Sequence, residues 1–228
     1  MVGRMLGLIY DVHGNLPALE AVLEDAADVD SWMLGGDYTL FGAWPGQTVD
    51  RLRELDARWI RGNCERLTAT PEEAPEGVRA AISWCAGMLG RDVVAELAEL
   101  PETVGDGDTL YCHGSPASDE QSFLPEAGDD EAELLEGADA GLVVFGHTHL
   151  AFTRETESGI TLVNPGSVGM PFDGDPRAAY AVVHDDGRIE HRRVAYDHIA
   201  SAAAVRGALG PAGEVPAARI ERASVQVG

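Results

Sequence analysis

The sequence predicts an α/β fold, and three observations carry the prediction. Short apolar runs alternate with stretches of helical periodicity through about the first sixty residues. Each run ends on a polar residue or on a glycine followed by one, and beyond residue 151 the pattern changes to strands alone. Alternation of this kind implies a parallel sheet with helical crossovers, followed by antiparallel pairing.

The elements follow in order. Leu6 to Tyr10 is an apolar run ending at Asp11, as a buried strand would. From Leu16 to Val29, apolar residues at Leu16, Leu19, Val22, Leu23 and Ala26 fall on one helical face, with Pro17 tolerated in the first turn. Ser31 to Leu34 is a second strand running into Gly35-Gly36-Asp37, Gln47 to Asp56 a helix, and Arg58 to Ile60 a strand ending at Gly62-Asn63. Pro71 to Leu100 is Ala- and Glu-rich and predicts two helices broken near Gly90. Thr109 to Cys112 is a strand ending at His113, Ser115 to Gly128 a polar loop, Glu131 to Leu135 a short helix, and Gly141 to Phe145 a strand ending at Gly146-His147. Strands are then expected at 151–155, 160–163, 180–184 and 188–194, the last two joined at Asp185-Asp186-Gly187. Asp197 caps a final helix reaching Leu209, and the Ala-, Pro- and Gly-rich stretch 210–228 is expected to be mobile or loosely packed. Residues 1–209 thus read as one domain, with 64–100 and 115–137 as helical and loop segments beside its site.

Composition narrows the function. The chain has 228 residues and a formal charge of −23, and all 16 of its basic residues are arginine. A lysine-dependent phosphate loop and Schiff-base chemistry are therefore excluded. So acidic a surface repels polyanions, which argues against extended nucleic-acid binding. No apolar run reaches the roughly 18 residues of a membrane span. Met1 to Tyr10 leads into Asp11 without a small-residue cleavage site, as a first core strand would. Three widely spaced cysteines make no disulfide framework, and a cytoplasmic location is expected. No pattern specifies an oligomeric state; a homodimer is compatible with the sequence.

Four of the seven histidines sit in short glycine-containing motifs: Asp11-Val12-His13-Gly14, Cys112-His113-Gly114 and Gly146-His147-Thr148-His149. Asp11, Asp37 and Asn63 follow successive strands at equal intervals of 26 residues (11 to 37, 37 to 63). Ligands in open parallel sheets lie at the carboxyl ends of strands, so these residues are expected to converge. Asp11, His13, Asp37, Asn63, His113, His147 and His149 together offer carboxylate, amide and imidazole donors. That mixture suits Mn²⁺, Fe²⁺, Zn²⁺ or Ni²⁺. Seven donors exceed one tetrahedral ion and match two ions sharing a carboxylate.

In this order the motifs resemble those of the calcineurin-like metallophosphoesterase superfamily, across roughly residues 5 to 196. The stretches Asp11 to Leu19, Asn164 to Gly169 and Asp173 to Ala178 are similar to its small bacterial and archaeal phosphodiesterase branch. The resemblance implies a four-layer α/β/β/α sandwich of two mixed β-sheets flanked by helices. It implies two divalent metal ions, with Mn²⁺ first among candidates. One would be held by Asp11, His13, Asp37 and His149, and the other by Asp37, Asn63, His113 and His147. Asp37 would bridge, and a hydroxide between the ions would attack a small phosphate ester in line. Asp37, Asn63 and Cys64 are then the catalytic candidates, and Asn63 and Arg177 the substrate contacts.

The chain departs from many relatives at Cys64, where Gly62-Asn63-Cys64-Glu65 replaces a Gly-Asn-His sequence whose histidine protonates the leaving oxygen. A thiol is the poorer acid at neutral pH, which predicts a preference for leaving groups that need little protonation. A packing role for Cys64 is the alternative. Arg61 and Arg177 could clamp phosphate, although surface ion pairs are the commoner fate of arginine in so acidic a chain. Trp44, Trp59 and Trp84 are read as core residues before base-stacking ones, and Asn164 as shaping a turn beside the site. Two further functions stay open: a nucleotide or dinucleoside-polyphosphate hydrolase, and a non-catalytic interaction scaffold of the same fold. A scaffold is expected to lose ligands, and here all seven positions hold competent donors.

Overall fold

Period-two burial sorts the strands onto three faces. In the computed structural model, which describes residues 5–227, the strands are β1 Leu6–Ile9, β2 Ser31–Leu34, β3 Ala57–Trp59, β4 Thr103–Asp106, β5 Thr109–Cys112, β6 Leu142–Val144, β7 Phe152–Glu155, β8 Thr161–Asn164, β9 Ala178–Val183 and β10 Ile189–Val194. They form two mixed five-stranded sheets, in the orders β10-β9-β1-β2-β3 and β4-β5-β6-β8-β7. β1, β2 and β3 are parallel, as are β5, β6 and β8, and the remaining pairings are antiparallel.

Leu8, Tyr10 and Met33 from one sheet, with Tyr111, Val144 and Val163 from the other, build the core between the sheets. Their neighbours Ile9 and Leu34 point to the opposite face, as strand geometry requires. There the helices cover them: α1 Leu16–Asp25, α2 Pro45–Arg53, α3 Asn63–Ala69, α4 Arg79–Leu89 and α5 Arg91–Ala98. The outer face of the second sheet carries Val143, Phe145 and Leu162. Its cover is thin: α6 Glu131–Leu134 supplies Leu134, and the loop before it supplies Phe123. The four-layer α/β/β/α sandwich is therefore present with one full helical layer and one slender one.

Three elements differ from the periodicity. Residues 63–69 are a helix, in a stretch where the sequence predicts helical and loop segments without assigning a helix to these residues. Strand β4 escapes the pattern because most of its residues are exposed and it holds one apolar side chain, Val104; the turn signal Asp106-Gly107 marks its hairpin with β5. The C-terminal stretch is the largest difference. Asp197 caps α7 His198–Leu209 by accepting from the Ala200 amide at 2.9 Å, as expected. Beyond it, the expected loose tail is a 3₁₀ turn at Gly210–Gly213 and a helix, α8 Glu214–Arg222. Pro216, Ala217 and Ile220 bury one face of α8 in the helix-side core, and Arg206 of α7 pairs with Glu214 and Glu221. One buried stripe on a short, Pro-containing helix is too weak a periodic signal to read from sequence. Ile220→Ala is expected to cost about 2–5 kcal/mol through transfer and cavity terms. The measurement is urea unfolding, with a lowered midpoint at constant slope.

Candidate active site

The carboxyl ends of the parallel strands meet along one edge of the sandwich, and the candidate residues arrive there on the connections that follow them. Asp11 and His13 come after β1, Asp37 after β2, and Asn63 opens α3 after β3. His113 directly follows β5, and His147 and His149 follow β6. The loops are stitched together: the His13 amide donates to the Asp37 carbonyl at 2.8 Å, and the Gly146 amide to the His113 carbonyl at 2.7 Å.

Five of these residues, Asp11, His13, Asp37, His147 and His149, have φ between 50° and 65°. This left-handed region is uncommon for non-glycine residues and costs conformational energy that surrounding structure must repay. Turning the chain this sharply directs successive side chains into a common centre. Two glycines let the carboxylates be approached closely. A Cβ on Gly62 would stand 2.3 Å from Asp37 Oδ1, and one on Gly146 would stand 2.6 Å from Asp11 Oδ2.

The donor atoms fall into two neighbourhoods that share Asp37. In the first, His13 Nε2 is 3.0 Å from His149 Nε2 and 3.8 Å from Asp37 Oδ2, and His149 Nε2 is 3.3 Å from Asp11 Oδ1. In the second, Asn63 Oδ1 lies 3.0 Å from His113 Nε2 and 3.1 Å from His147 Nδ1, while His113 Nε2 is 3.4 Å from Asp37 Oδ1. Asp11, His13 and His149, and separately Asp11, Asp37 and His113, each bring ligand atoms within 4.8 Å of one another, so either trio could hold an ion.

Three imidazoles are oriented by backbone carbonyls. Nδ1 of His13 meets Leu40 O at 3.0 Å, that of His113 meets Gly35 O at 2.8 Å, and that of His149 meets Met170 O at 2.5 Å. A proton on Nδ1 leaves Nε2 as the inward-facing donor to a cation, the arrangement by which outer hydrogen bonds orient metal ligands. The fit to a cation is independently visible. His13 and His149 direct their Nε2 atoms at each other, and buried Asp11 Oδ1 has no hydrogen-bond partner. Facing lone pairs and an orphaned buried carboxylate oxygen are unfavourable unless a positive charge lies among them.

Electrostatics within the cluster follow from burial and mutual charge. Burial opposes ionisation of Asp37, but His113 and then His13 outweigh it and hold the carboxyl below its usual range. Burial likewise opposes charge on His113, yet Asp37 and then Asp11 push it up to about 10. Burial and the neighbouring His149 bring His13 down to about 4. Cys64 is buried with its Sγ 2.9 Å from Asp37 Oδ2, and its amide donates to Asp37 Oδ1 at 2.8 Å. Burial, then the Asp37 and Glu65 charges, push its thiol well above the ordinary value, so it remains protonated and donates to Asp37.

Glu65, named in the sequence only as part of a motif, organises this centre. Its carboxylate is buried and accepts from the Gly62 and Asp37 amides on one oxygen, at 2.9 and 2.8 Å, and from the Tyr38 amide on the other, at 2.9 Å. Burial and Asp37 push it up to about 7, against the pull of those three donors. A signal for this role was present, since Glu65 stands three residues after Gly62, the N-cap of α3.

Arg177 does not join the cluster. It is exposed and held by Asp175 at 2.6 Å, the surface ion pair that an acidic chain favours. Arg61 pairs with Glu102, and Trp59 and Trp84 pack against the helix-side core. Asn164 shapes the adjoining turn: its amide donates to Gly146 O at 2.9 Å, and its carbonyl accepts from the Gly166 amide at 2.9 Å.

A cavity of about 540 Å³ opens onto the cluster. His13, Asp37, Asn63, Cys64, His147 and His149 form its polar end, and Phe41, Leu124, Leu150, Met170, Phe172 and Val225 its apolar walls. Phe172 stacks on the His149 ring at 4.3 Å. Arg219, from α8, also lines it, and no sequence pattern marked that residue because its helix carried none.

Residues 5–188 match the family model described as the calcineurin-like phosphoesterase superfamily domain. A solved metallophosphoesterase from Sphaerobacter thermophilus is 31% identical with a TM-score of 0.81, covering 97% of this chain and 99% of that one. Phosphodiesterase YfcE of Escherichia coli K12 is 29% identical, covering 80% of this chain and 89% of the relative. The uncharacterized protein MJ0912 of Methanocaldococcus jannaschii is 28% identical, covering 86% of this chain and 90% of its own length.

Proposed function

The chain belongs to the calcineurin-like phosphoesterase superfamily, hydrolases of phosphoester bonds, and from that premise we propose that it is a phosphodiesterase using two divalent metal ions on a small phosphate ester. The observation that carries the reading is the pair of donor neighbourhoods meeting on the two oxygens of Asp37. Asp11, His13, Asp37 and His149 would hold one ion, and Asp37, Asn63, His113 and His147 the other. Bound dications there would supply an acidified water and neutralise charge developing on the phosphoryl oxygens.

The chain's own residues do the positioning. The carbonyls of Leu40, Gly35 and Met170 hold three imidazoles in one tautomer, and Asn63 presents its carbonyl oxygen between His113 and His147. A cytoplasmic location fits three buried, free thiols. Among the described residues no helix is long and apolar enough to cross a membrane.

Metal analysis of the purified protein, followed by a phosphoester panel with and without Mn²⁺, tests the reading. Bound transition metal is expected, with diester turnover that chelation removes and Mn²⁺ restores. Metal-free protein that stays inactive on every ester after Mn²⁺ addition would falsify it.

Cys64 supplies a finer test. A buried thiol engaged with Asp37 is a weak proton source for a leaving oxygen. Cys64→His is therefore expected to raise turnover of alkyl esters more than that of p-nitrophenyl esters, whose leaving group needs little protonation. Equal gains on the two classes would remove Cys64 from leaving-group chemistry.

A further inference from the structure

We propose that Arg219 is the anion anchor of the substrate cavity, and that the substrate carries a second negative group joined by an apolar body to the phosphate that is hydrolysed. The inference rests on the reading of the histidine–aspartate cluster as the hydrolytic centre and names the class of ester it takes.

Carboxylates outnumber arginines in this chain, 39 to 16, and most of the described arginines are paired with them. Arg66 meets Asp119, Glu73 and Glu120, and Arg192 meets Asp28 and Glu190. On α8 itself, Glu214 and Glu221 are both taken by Arg206. Arg219 has no carboxylate partner among the described residues, and its Nε is buried without a hydrogen bond. Arg79, Arg91 and Arg222 also lack a carboxylate partner among those residues; Arg219 differs in lining the cavity.

Its position says which ligand. Arg219 is the one arginine among the residues lining the 540 Å³ cavity, and Asp37 is the one carboxylate. Its guanidinium lies over the ring of Phe172 at 5.6 Å, and the same ring stacks on His149. A guanidinium fixed on an aromatic face presents a planar fork matched to phosphate or carboxylate. The cluster already meets the charge of the scissile phosphate, while Phe41, Leu124, Leu150 and Val225 suit an uncharged, apolar segment. An ester with anions at both ends and an apolar middle satisfies all three regions.

The test uses the Mn²⁺-supplemented full chain and titration calorimetry with non-hydrolysable probes. α,ω-Alkane bisphosphonates with two to eight carbons are compared with alkyl monophosphonates of equal length. At a favoured length the wild type is expected to bind the bisphosphonate about 10- to 100-fold more tightly, the range for a charge-assisted hydrogen bond. R219Q should erase that margin, and R219K should retain part of it, with thermal melting reporting the fold of both variants. No margin at any length in the wild type, or a margin that survives in R219Q, overturns the proposal. So does an equal loss for both probe classes in R219Q, which would put Arg219 on the scissile phosphate. Failure of the hydrolytic reading looks different: no ester is turned over while the bisphosphonate margin persists.

Discussion

Asp37→Asn is expected to lower kcat/KM for a p-nitrophenyl phosphodiester by more than about 10³-fold, the upper end of what a single electrostatic contact costs an active site. Both neighbourhoods depend on this one carboxylate: Oδ2 faces His13, and Oδ1 faces His113. An amide can offer only its carbonyl oxygen to one side and presents N–H donors to the other. The fold should survive, because Asn preserves the shape and its oxygen can still accept from the Cys64 amide. The decisive measurement is paired. Mn²⁺ at 100 times its Kd should stabilise the wild type by about 2.7 kcal/mol. In the variant, metal content and the Mn²⁺-induced rise in Tm should both fall. Retention of full activity, or loss of activity with both metal readouts intact, would refute the bridging role.

Glu65→Gln should lower stability by about 3–5 kcal/mol, the cost of breaking a buried charged network. Three backbone N–H groups converge on the two carboxylate oxygens, so replacing either oxygen with NH₂ sets donor against donor. At roughly 2–4 °C per kcal/mol for a chain of this size, Tm should fall by about 6–20 °C. Activity should fall too, because Glu65 ties the turn carrying Asp37 to the start of the helix carrying Asn63. Thermal melting with and without Mn²⁺ checks this. A variant melting within 2 °C of wild type, by the same conversion, would show that the three donors find other acceptors.

The two residues differ in how openly the sequence displays them. Asp37 announces itself through Gly36, the preceding apolar strand and its even spacing from Asp11 and Asn63. Strand ends and tight turns are local events, encoded by neighbouring residues, so the ligand candidates are legible one at a time. Glu65 acts through the chain's backbone across two connections, and its partners at 37 and 38 are invisible in a linear reading. Arg177 shows the converse case. Its sequence neighbourhood supported a substrate contact, but Asp175, two residues away, satisfies it on the surface.

Local signals, then, determined the α/β class, most strand positions and the identity of the converging donors. They work because apolar periodicity and glycine-bounded strand ends depend on residues close in the chain. Tertiary structure alone decided the pairing of β9 with β1, which oxygen of Asp37 faces His13 and which His113, and the three-amide grip of Glu65. It also turned the unpatterned C-terminal stretch into a packed helix whose Arg219 reaches the cavity. Those contacts join residues far apart in sequence, and their free energy comes from burial and charge that exist only once the sheets have closed on each other.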